Sequence, residues 1–305
     1  MTHLQPTEMQ GRGGNSLIRR LWAQPYLDKP ISLAFHAHKF WKIHGYVPNV
    51  IRPSTYSEKI LYKMVFDRRP ILSRVADKVE VRDFVADRVG NRYLTKIYAV
   101  FDDPRPLHDF SFPSAFVLKA SHGSNWNHFQ RPSDRLDVAE LVRKASLWLN
   151  DQYSWLELEW CYASIPARLL VEEYLGPEAG VPTDYKFHCF NGRVGFIQEH
   201  IGRYSNDVRI NLYDREWTRF GVEYAGFRNT QAASARPANL EEMVRVAETL
   251  SAGFDFIRVD LYDLGNRVVF GELTNYPMAF YAKFEPVSFD QQFGTLWTVV
   301  RSYSS

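Results

Sequence analysis

The chain has 305 residues, a length that suits one large domain or two modest ones. Its 37 lysines and arginines nearly balance 35 aspartates and glutamates, and the formal net charge of +2 argues against a protein that binds nucleic acids nonspecifically. With 45% hydrophobic and 24% charged residues, the composition excludes global disorder and predicts an ordinary soluble globular protein.

The cysteine and hydropathy patterns indicate where the protein works. Cys161 and Cys189 form no paired motif, so neither a disulfide scaffold nor a structural zinc site is supported. No apolar run approaches the roughly 18 residues that a membrane span needs. Residues 1–16 lack the apolar core of a secretory signal. We therefore expect a cytoplasmic protein without stable membrane insertion.

The first third of the chain has a helical pattern after a polar, glycine-containing tail at residues 1–16. Thr55 and Glu58 have the spacing of a capping box, in which a side chain and a backbone group satisfy each other at the start of a helix. This spacing predicts a helix over about 55–68. Apolar residues on one side predict a second helix over 75–89.

Strand-like segments dominate the rest of the chain, and the pattern predicts an α+β fold without the regular alternation of a doubly wound sheet. Asn191-Gly192 is a strong hairpin signal between two strand-like runs. The predicted elements are strands at 93–101, 115–120 and 167–175, a helix at 137–152, the hairpin around Asn191-Gly192, a strand at 208–214, a helix at 239–252, and a hairpin of 254–263 with 267–273.

The last predicted hairpin carries the most informative side chains. Because strand residues alternate between faces, Arg258 and Asp260 share one face and their apolar neighbours the other. If the turn centres on Asn266, Asp260 lies directly opposite Glu272. Two opposed carboxylates repel, and a divalent cation between them would reverse that effect. A solvated sheet face, with Arg258 balancing Asp260, explains the pattern equally well.

Two more polar clusters are ambiguous by themselves. Lys119 ends a strand and precedes the small-residue loop 120–124, which allows backbone amides to approach an anion, although such a loop also occurs by chance. Asp184, Lys186 and His188 alternate onto one strand face. They could reach a ribose and a phosphate, or form the exposed face of an ordinary hairpin.

The order of these clusters resembles the ATP-grasp superfamily, and most of all its TupA-like branch, which is named for teichuronopeptide synthesis and found among bacterial cell-surface polysaccharide genes. The resemblance runs from about Pro53 to Phe293. It is carried by TYSEKI (55–60), ADKVEVRDFV (76–85), FVLKASHGSN (116–125), VEEYL (171–175), DYKFHCFNG (184–192), NLYDREW (211–217) and FIRVDLYD with NRVVFGELT (256–274).

This resemblance implies an ATP-grasp fold, in which two α+β lobes clasp ATP, here with a helical N-terminal extension. The implied division is a flexible tail at 1–16, a helical N-terminal region at 17–92, a small ATP-grasp lobe at 93–175, and a C-terminal ATP-grasp lobe with the metal site at 176–305.

The resemblance also implies roles for individual residues. For ATP, these are Lys78 at the α-phosphate, Lys119 beneath the triphosphate, Ser121, His122, Gly123 and Ser124 over the phosphates, the hinge from Glu172 to Leu175 with the backbone of Glu173 and Leu175 at the adenine, Asp184 at the ribose, and Lys186 at the phosphates. For catalysis and metal binding, they are Arg258, Lys186 and Arg209 near the transferred phosphoryl group, and Asp260 and Glu272 as magnesium ligands.

The chain departs from the family pattern at the end of its metal motif. The superfamily often has Glu-x-Asn there, whereas Glu272 is followed by Leu273, Thr274 and only then Asn275. We therefore include Thr274 and Asn275 among the candidate metal ligands.

The implied activity is that of an ATP-dependent carboxylate–amine ligase that uses ATP and Mg²⁺. The implied partners are a uronic acid or other carboxylated glycan precursor, as a small molecule or a lipid-linked sugar, and an amino-acid amine, with no nucleic acid. The sequence leaves the oligomeric state open, along with two alternatives: an ATP-grasp kinase acting on a sugar hydroxyl, and a glycan-binding protein with a degenerate nucleotide site.

Overall fold

A computed structural model describes residues 20–24, 26–176, 182–202 and 207–300. The predicted tail at 1–16 lies outside these residues. Helices form the N-terminal part and antiparallel sheets dominate the rest, so the predicted α+β class is confirmed. None of the helices within the described ranges combines the length and apolar character that crossing a membrane requires.

Between residues 26 and 96, four α-helices precede the first strand, and the first predicted helix is confirmed. Thr55 caps it, since the Thr55 hydroxyl accepts a hydrogen bond from the Glu58 amide at 3.1 Å and the Glu58 carboxylate accepts one from the Thr55 amide. The capping box therefore fixes where this helix begins. The helices are α1 (Asp28–His44), α2 (Tyr56–Phe66), α3 (Ile71–Ala76) and α4 (Val81–Val89).

The single helix predicted over 75–89 is wrong, because the chain breaks between α3 and α4. The Asp77 carboxylate accepts a hydrogen bond from the Val79 amide at 2.8 Å, which competes with helical hydrogen bonding. Arg168 holds the same carboxylate at 2.6 Å. The break directs Lys78 towards the loop that follows Lys119, where the Lys78 ammonium donates to the Gly123 carbonyl.

The smaller sheet has four antiparallel strands in the order β1-β4-β2-β3, and one helix covers it. Apolar side chains of its inner face pack against that helix, for example Leu118 and Val171 with Leu141. Its elements are β1 (Ile97–Phe101), β2 (Phe116–Ala120), β3 (Asn127–Gln130), the covering helix α5 (Val138–Asn150), a short helix α6 (Ser154–Glu157) and β4 (Leu169–Glu173).

The larger sheet has five antiparallel strands in the order β10-β9-β5-β6-β7. The helix Leu240–Ser251 packs on its apolar face, where the Cys189 thiol lies 3.9 Å from the Ala247 carbonyl. The other face carries the polar residues of the site and, at His188, contacts the Tyr56 hydroxyl of α2 at 3.0 Å. The elements are β5 (Asp184–Phe190), β6 (Arg193–Ile201), β7 (Arg209–Tyr213), β8 (Glu223–Tyr224), α7 (Leu240–Ser251), β9 (Phe256–Asp263), β10 (Val268–Thr274), β11 (Phe284–Glu285) and α8 (Ser288–Thr295).

The register of the β9-β10 hairpin confirms that Asp260 lies opposite Glu272, although for a reason other than the expected turn. Asp263 pairs with Val268, so the turn alone would place Asp260 opposite Gly271. A bulge at Gly271 shifts the register by one residue. A side chain there would meet the Asp260 carbonyl at 3.2 Å, which explains why glycine suits this position.

Candidate functional site

The centre of the site is an arginine that joins the two opposed carboxylates. The Arg258 guanidinium donates to Asp260 Oδ1 at 2.6 Å and Oδ2 at 2.7 Å, and to Glu272 Oε1 at 2.7 Å. Arg258 and Asp260 are buried, whereas the side chain of Glu272 is 48% exposed. The hairpin therefore holds a buried acid and an accessible acid on one cation.

Electrostatics favour the charged form of the accessible acid. Desolvation opposes a charge on Glu272, but Arg258 and Lys186 outweigh it and hold the pKa of Glu272 well below its ordinary value. Burial likewise opposes the charge on Arg258, yet Asp260 and Glu272 raise the pKa of the guanidinium above its usual value. Glu272 is therefore a carboxylate at neutral pH.

The polar face continues along β5, as the alternation predicts. The Lys186 ammonium lies 2.6 Å from Asp184 Oδ2 and also contacts Asp260, and all three side chains are buried. His188, next on this face, is buried opposite Arg258, and burial lowers its pKa well below the ordinary value. A neutral His188 adds no charge beneath Arg258.

These acids fit a small divalent cation. Carboxylate oxygens are the ligands that Mg²⁺ prefers, and it usually takes one or two of them together with phosphate oxygens and water. Glu272 Oε1 is engaged by Arg258 and Thr274, while Oε2 makes no hydrogen bond to the part of the chain that the structure describes. Within the same residues, no cluster of three or more His, Cys, Asp or Glu could hold a metal by itself.

The two additional metal candidates have different surroundings. Thr274 lies on the face of Glu272, and its hydroxyl donates to Glu272 Oε1 at 2.8 Å. Asn275 lies on the opposite face, is buried, and donates from its amide to the Leu72 carbonyl at 2.9 Å. The structure therefore does not bring Asn275 to the carboxylates, because strand alternation turns its side chain into the core.

Two lysines come from outside the large sheet, Lys119 from β2 and Lys78 from the break between α3 and α4. The Lys119 ammonium pairs with the buried Glu172 carboxylate, which also accepts from the Thr95 hydroxyl at 3.1 Å. Burial lowers the pKa of Lys78 to about 8, while Glu272 favours its charge and Lys119 opposes it. Lys78 therefore lies within electrostatic range of both Lys119 and Glu272.

The side chains of the predicted phosphate loop mainly hold the loop itself. The buried Ser121 hydroxyl donates to the Pro166 carbonyl at 2.8 Å and accepts from the Arg168 amide at 3.1 Å. His122 bonds through Nε2 to the Trp148 carbonyl at 3.0 Å. Both side chains therefore bond to backbone groups, and the sequence could not indicate these contacts because the partners are distant in the chain.

The tip of the loop is tightly packed. A side chain on Gly123 would lie 2.6 Å from the indole ring of Trp126, so only glycine fits there. Ser124 is half-buried beside it. The groups that this loop can offer to an anion are therefore its backbone, the Ser124 hydroxyl and the nearby lysines.

The predicted hinge also bridges the two sheets. The Glu173 amide donates to the Lys96 carbonyl at 2.9 Å, so it belongs to the small sheet. The Glu173 carboxylate accepts from Arg267 of the β9-β10 turn at 2.6 Å, a contact that no sequence pattern indicates. The Leu175 amide donates no hydrogen bond to any residue in the described ranges, which leaves it available to a ligand.

Arg209 does not join this group. It lies on β7, at the far edge of the large sheet, opposite Ile201 and on the other face from Arg258. Its guanidinium pairs with Asp207 at 2.7 Å. The prediction that Arg209 faces the transferred phosphoryl group is wrong, because Arg209 lies on the other face of the sheet from Arg258 and three strands away from it.

Comparisons with known proteins place this geometry in context. Among solved structures, D-alanine–D-alanine ligase from Helicobacter pylori has a TM-score of 0.42 and 11% identity, over 76% of this chain and 60% of its own. The ATP complex of D-alanine–D-alanine ligase from Bacillus anthracis has a TM-score of 0.39 and 13% identity, and the match covers 68% of this chain and 57% of that protein. Phosphoribosylamine–glycine ligase from Thermotoga maritima has a TM-score of 0.39 and 15% identity, and the match covers 67% of this chain and 48% of that protein. The chain thus spans between 48% and 60% of the length of these proteins.

No curated protein matches the sequence significantly. The model of the TupA-like ATP-grasp family matches residues 58–298, which is most of the chain. That range contains the lysines, the predicted phosphate loop, the predicted hinge and the β9-β10 hairpin described above. The chain belongs to the TupA-like ATP-grasp family.

Proposed function

We propose that the protein is an ATP-dependent carboxylate–amine ligase that forms an amide through an acyl phosphate. The observation that carries the proposal is the pair of acids Asp260 and Glu272, which Arg258 joins, with Lys78 within electrostatic range of Glu272. Opposed acids hold a divalent cation, and the lysines provide charge for a triphosphate. Each group has a role in phosphoryl transfer.

The proposed mechanism consists of positioning and charge neutralisation. Lys78, Lys119 and Lys186 bind the phosphates of ATP. Arg258 stabilises the negative charge that develops on the transferred phosphoryl group and, afterwards, on the acyl phosphate. Asp260 and Glu272 would hold Mg²⁺, which when bound polarises the γ-phosphoryl group. A substrate carboxylate attacks that group, ADP leaves, and an amine then displaces phosphate from the acyl carbon.

The resemblance to the family supports a proposed substrate class. We propose a uronic acid or another carboxylated glycan precursor of a bacterial polysaccharide as the carboxylate, free or lipid-linked, and an amino acid as the amine. ATP supply and reducing conditions make the cytoplasm the proposed location. Both cysteines are buried and free, which agrees with such conditions.

The test is product analysis with ATP, Mg²⁺, candidate uronate sugars and mixed amino acids. The proposal requires ADP and phosphate to appear only when both a carboxylate and an amine are present, with an amide product by mass spectrometry. ADP formed with a sugar alone, together with a phosphorylated sugar, would instead indicate a kinase. Failure of the protein to bind Mg·ATP at millimolar concentration would favour a glycan-binding protein.

A further inference from the structure

The small sheet holds one of the proposed phosphate lysines on a buried acid. The register of β2 and β4 makes Lys119 and Glu172 diagonal neighbours, so their side chains lie on one face of the sheet. The alternate residues Leu118 and Val171 pack against α5 on the other face. The pair therefore lies on the face of the small sheet that α5 leaves uncovered.

Lys119 is accessible, whereas the acid that anchors it is buried. The Lys119 ammonium pairs with Glu172 Oε1, and Lys119 makes no second side-chain hydrogen bond or ion pair with any residue in the described ranges. The Lys119 side chain is 25% exposed, whereas that of Glu172 is 8% exposed. Because an ammonium has three N–H groups, two of them remain for a ligand.

The second oxygen of this acid is bound by Thr95, a residue that the sequence analysis missed. The Thr95 hydroxyl, which is buried just before β1, donates to Glu172 Oε2 at 3.1 Å. Each carboxylate oxygen therefore has its own partner. Rotation of the carboxylate would break both contacts and leave a buried oxygen without a donor, which is costly. Thr95 thus sets the plane in which Glu172 holds the Lys119 ammonium.

Arg82, in the first turn of α4, fixes Thr95 in turn. Its guanidinium donates to the Thr95 hydroxyl oxygen at 3.0 Å and also to the Thr95 carbonyl. A guanidinium only donates and a carboxylate only accepts, so the single hydroxyl proton must point to Glu172. Arg82 and Glu172 are both described and form no direct ion pair. Arg82 therefore contacts the acid only through Thr95.

The same short segment also fixes the predicted hinge. The Lys96 amide donates to the Glu173 carboxylate at 3.2 Å, and the Lys96 carbonyl accepts from the Glu173 amide at 2.9 Å. The Glu173 carboxylate also accepts from Arg267 of the β9-β10 turn at 2.6 Å. Thr95 and Lys96 thus hold two successive hinge glutamates, one joined to Lys119 and the other to the large sheet.

We infer that Thr95 is a positioning residue for the phosphates of ATP: its hydroxyl orients Glu172, and Glu172 holds the Lys119 ammonium where it meets the triphosphate. This inference rests on the proposed function, in which Lys119 binds the phosphates. Thr95 itself touches no ligand in this role. Its hydroxyl limits the positions that Lys119 can adopt, so that less freedom is lost when ATP binds.

A purely structural role for Thr95 makes different predictions. If the hydroxyl only stabilises the small sheet, its removal lowers the stability and affects ATP binding independently of Lys119. If it positions Lys119, its removal weakens ATP binding through the ammonium alone. The effect then disappears when that ammonium is absent, and it shrinks when salt screens charged contacts.

Calorimetry of the full chain with Mg·ATP tests the inference. In Thr95→Val, which keeps the shape of the side chain, ATP affinity should fall severalfold, up to about tenfold, the size of one hydrogen bond. The fall should be larger at low salt than at high salt. Thr95→Ser keeps the hydroxyl and should restore most of the affinity. In a Lys119→Met background, Thr95→Val should cause no further loss.

Two controls accompany these variants. Thr218→Val is the same change at an exposed position and should leave ATP affinity unchanged. Thermal unfolding of each variant gives a temperature at which all of them are folded, and binding is measured there. If Lys119→Met binds ATP too weakly for the comparison, the salt dependence of Thr95→Val decides.

The outcomes separate this inference from the proposed function. Suppose that the natural sequence binds Mg·ATP. If Thr95→Val then binds it equally well, loses the same factor with and without the Lys119 ammonium or at both salt concentrations, or is not rescued by serine, the inference is wrong and the ligase proposal stands. If the natural sequence itself fails to bind Mg·ATP, the ligase proposal fails.

Discussion

The two halves of the site hold their ligand-facing groups in different ways. On the large sheet, the charged groups are side chains: Arg258, Asp260 and Lys186 form a buried network of ion pairs on neighbouring strands. On the phosphate loop, the side chains of Ser121 and His122 fasten the loop to distant backbone. The sheet therefore supplies charge directly, whereas the loop supplies a shaped backbone and relies on lysines from elsewhere.

This contrast predicts that conservative changes on the sheet remove turnover, whereas changes in the loop act through its shape. The largest effect should come from Glu272→Gln, which keeps the size of the side chain and removes its charge. We expect kcat to fall by about 10²–10³-fold, the size of effect for an electrostatic group at a transition state. Stability should change by less than about 1 kcal/mol because the side chain is half exposed. ADP release measures the change in kcat, and thermal unfolding measures the change in stability. Full activity of Glu272→Gln would refute the proposal that Glu272 binds the metal.

Asp260→Asn should separate the buried acid from the accessible one. Turnover should be lost as in Glu272→Gln, but the change also leaves Arg258 and Lys186 without their shared anion in a buried place. Breaking a buried ion pair from one side costs about 3–5 kcal/mol. Denaturant unfolding of the two variants side by side measures the difference, and equal stability of both would contradict the buried network.

Gly123→Ala tests the shape of the loop without touching a charge. The added methyl group would overlap the Trp126 ring, and overpacking of this kind costs about 1–3 kcal/mol. ATP affinity should fall severalfold because the loop backbone must move. Gly221→Ala is the matched control, because the space around Gly221 is open, and it should leave stability and ATP affinity unchanged. Unaltered ATP affinity in Gly123→Ala would mean that the loop does not cover the phosphates.

The same contrast explains which parts of the site could be predicted from sequence. Strand alternation placed Arg258, Asp260 and Lys186 on one face, since side-chain direction on a strand depends only on parity. The same rule would have excluded Asn275, which has the opposite parity to Glu272. Pairing of Asp260 with Glu272 was predicted from a symmetric turn, and the bulge that produces it leaves no clear sequence signal beyond Gly271.

Contacts of the loop could not be predicted from sequence, because they join residues that are far apart in the chain. Ser121 finds its partners at Pro166 and Arg168, about 45 residues later, and no local pattern records such a contact. Element positions were recovered well where a cap or hairpin marked them, and less well at Asp77, where a side chain breaks the predicted helix.

The lysines allow a test by pH. The pKa of Lys78 lies at about 8, because burial disfavours its charge. In the free protein, Lys78 therefore loses its proton as pH rises from 7 to 9, and ATP association should weaken over that range. We expect a loss of up to about tenfold, the size of one charge-assisted hydrogen bond. Lys78→Arg, which stays charged, should give a profile without this step, and an identical step in that variant would assign it to another group.

Ser121→Ala should have the smallest effect and the most specific one. Removing the hydroxyl leaves the Pro166 carbonyl and the Arg168 amide without a partner, which costs about 1–2 kcal/mol of stability. Because both contacts of this hydroxyl are to backbone groups of the protein, ATP affinity of the folded protein should not change. Ser133→Ala, at an exposed position, should change neither quantity. A tenfold loss of ATP affinity with unchanged stability would show that Ser121 contacts the phosphates. The contrast between sheet side chains that bind the ligand and loop side chains that only hold the loop would then be wrong.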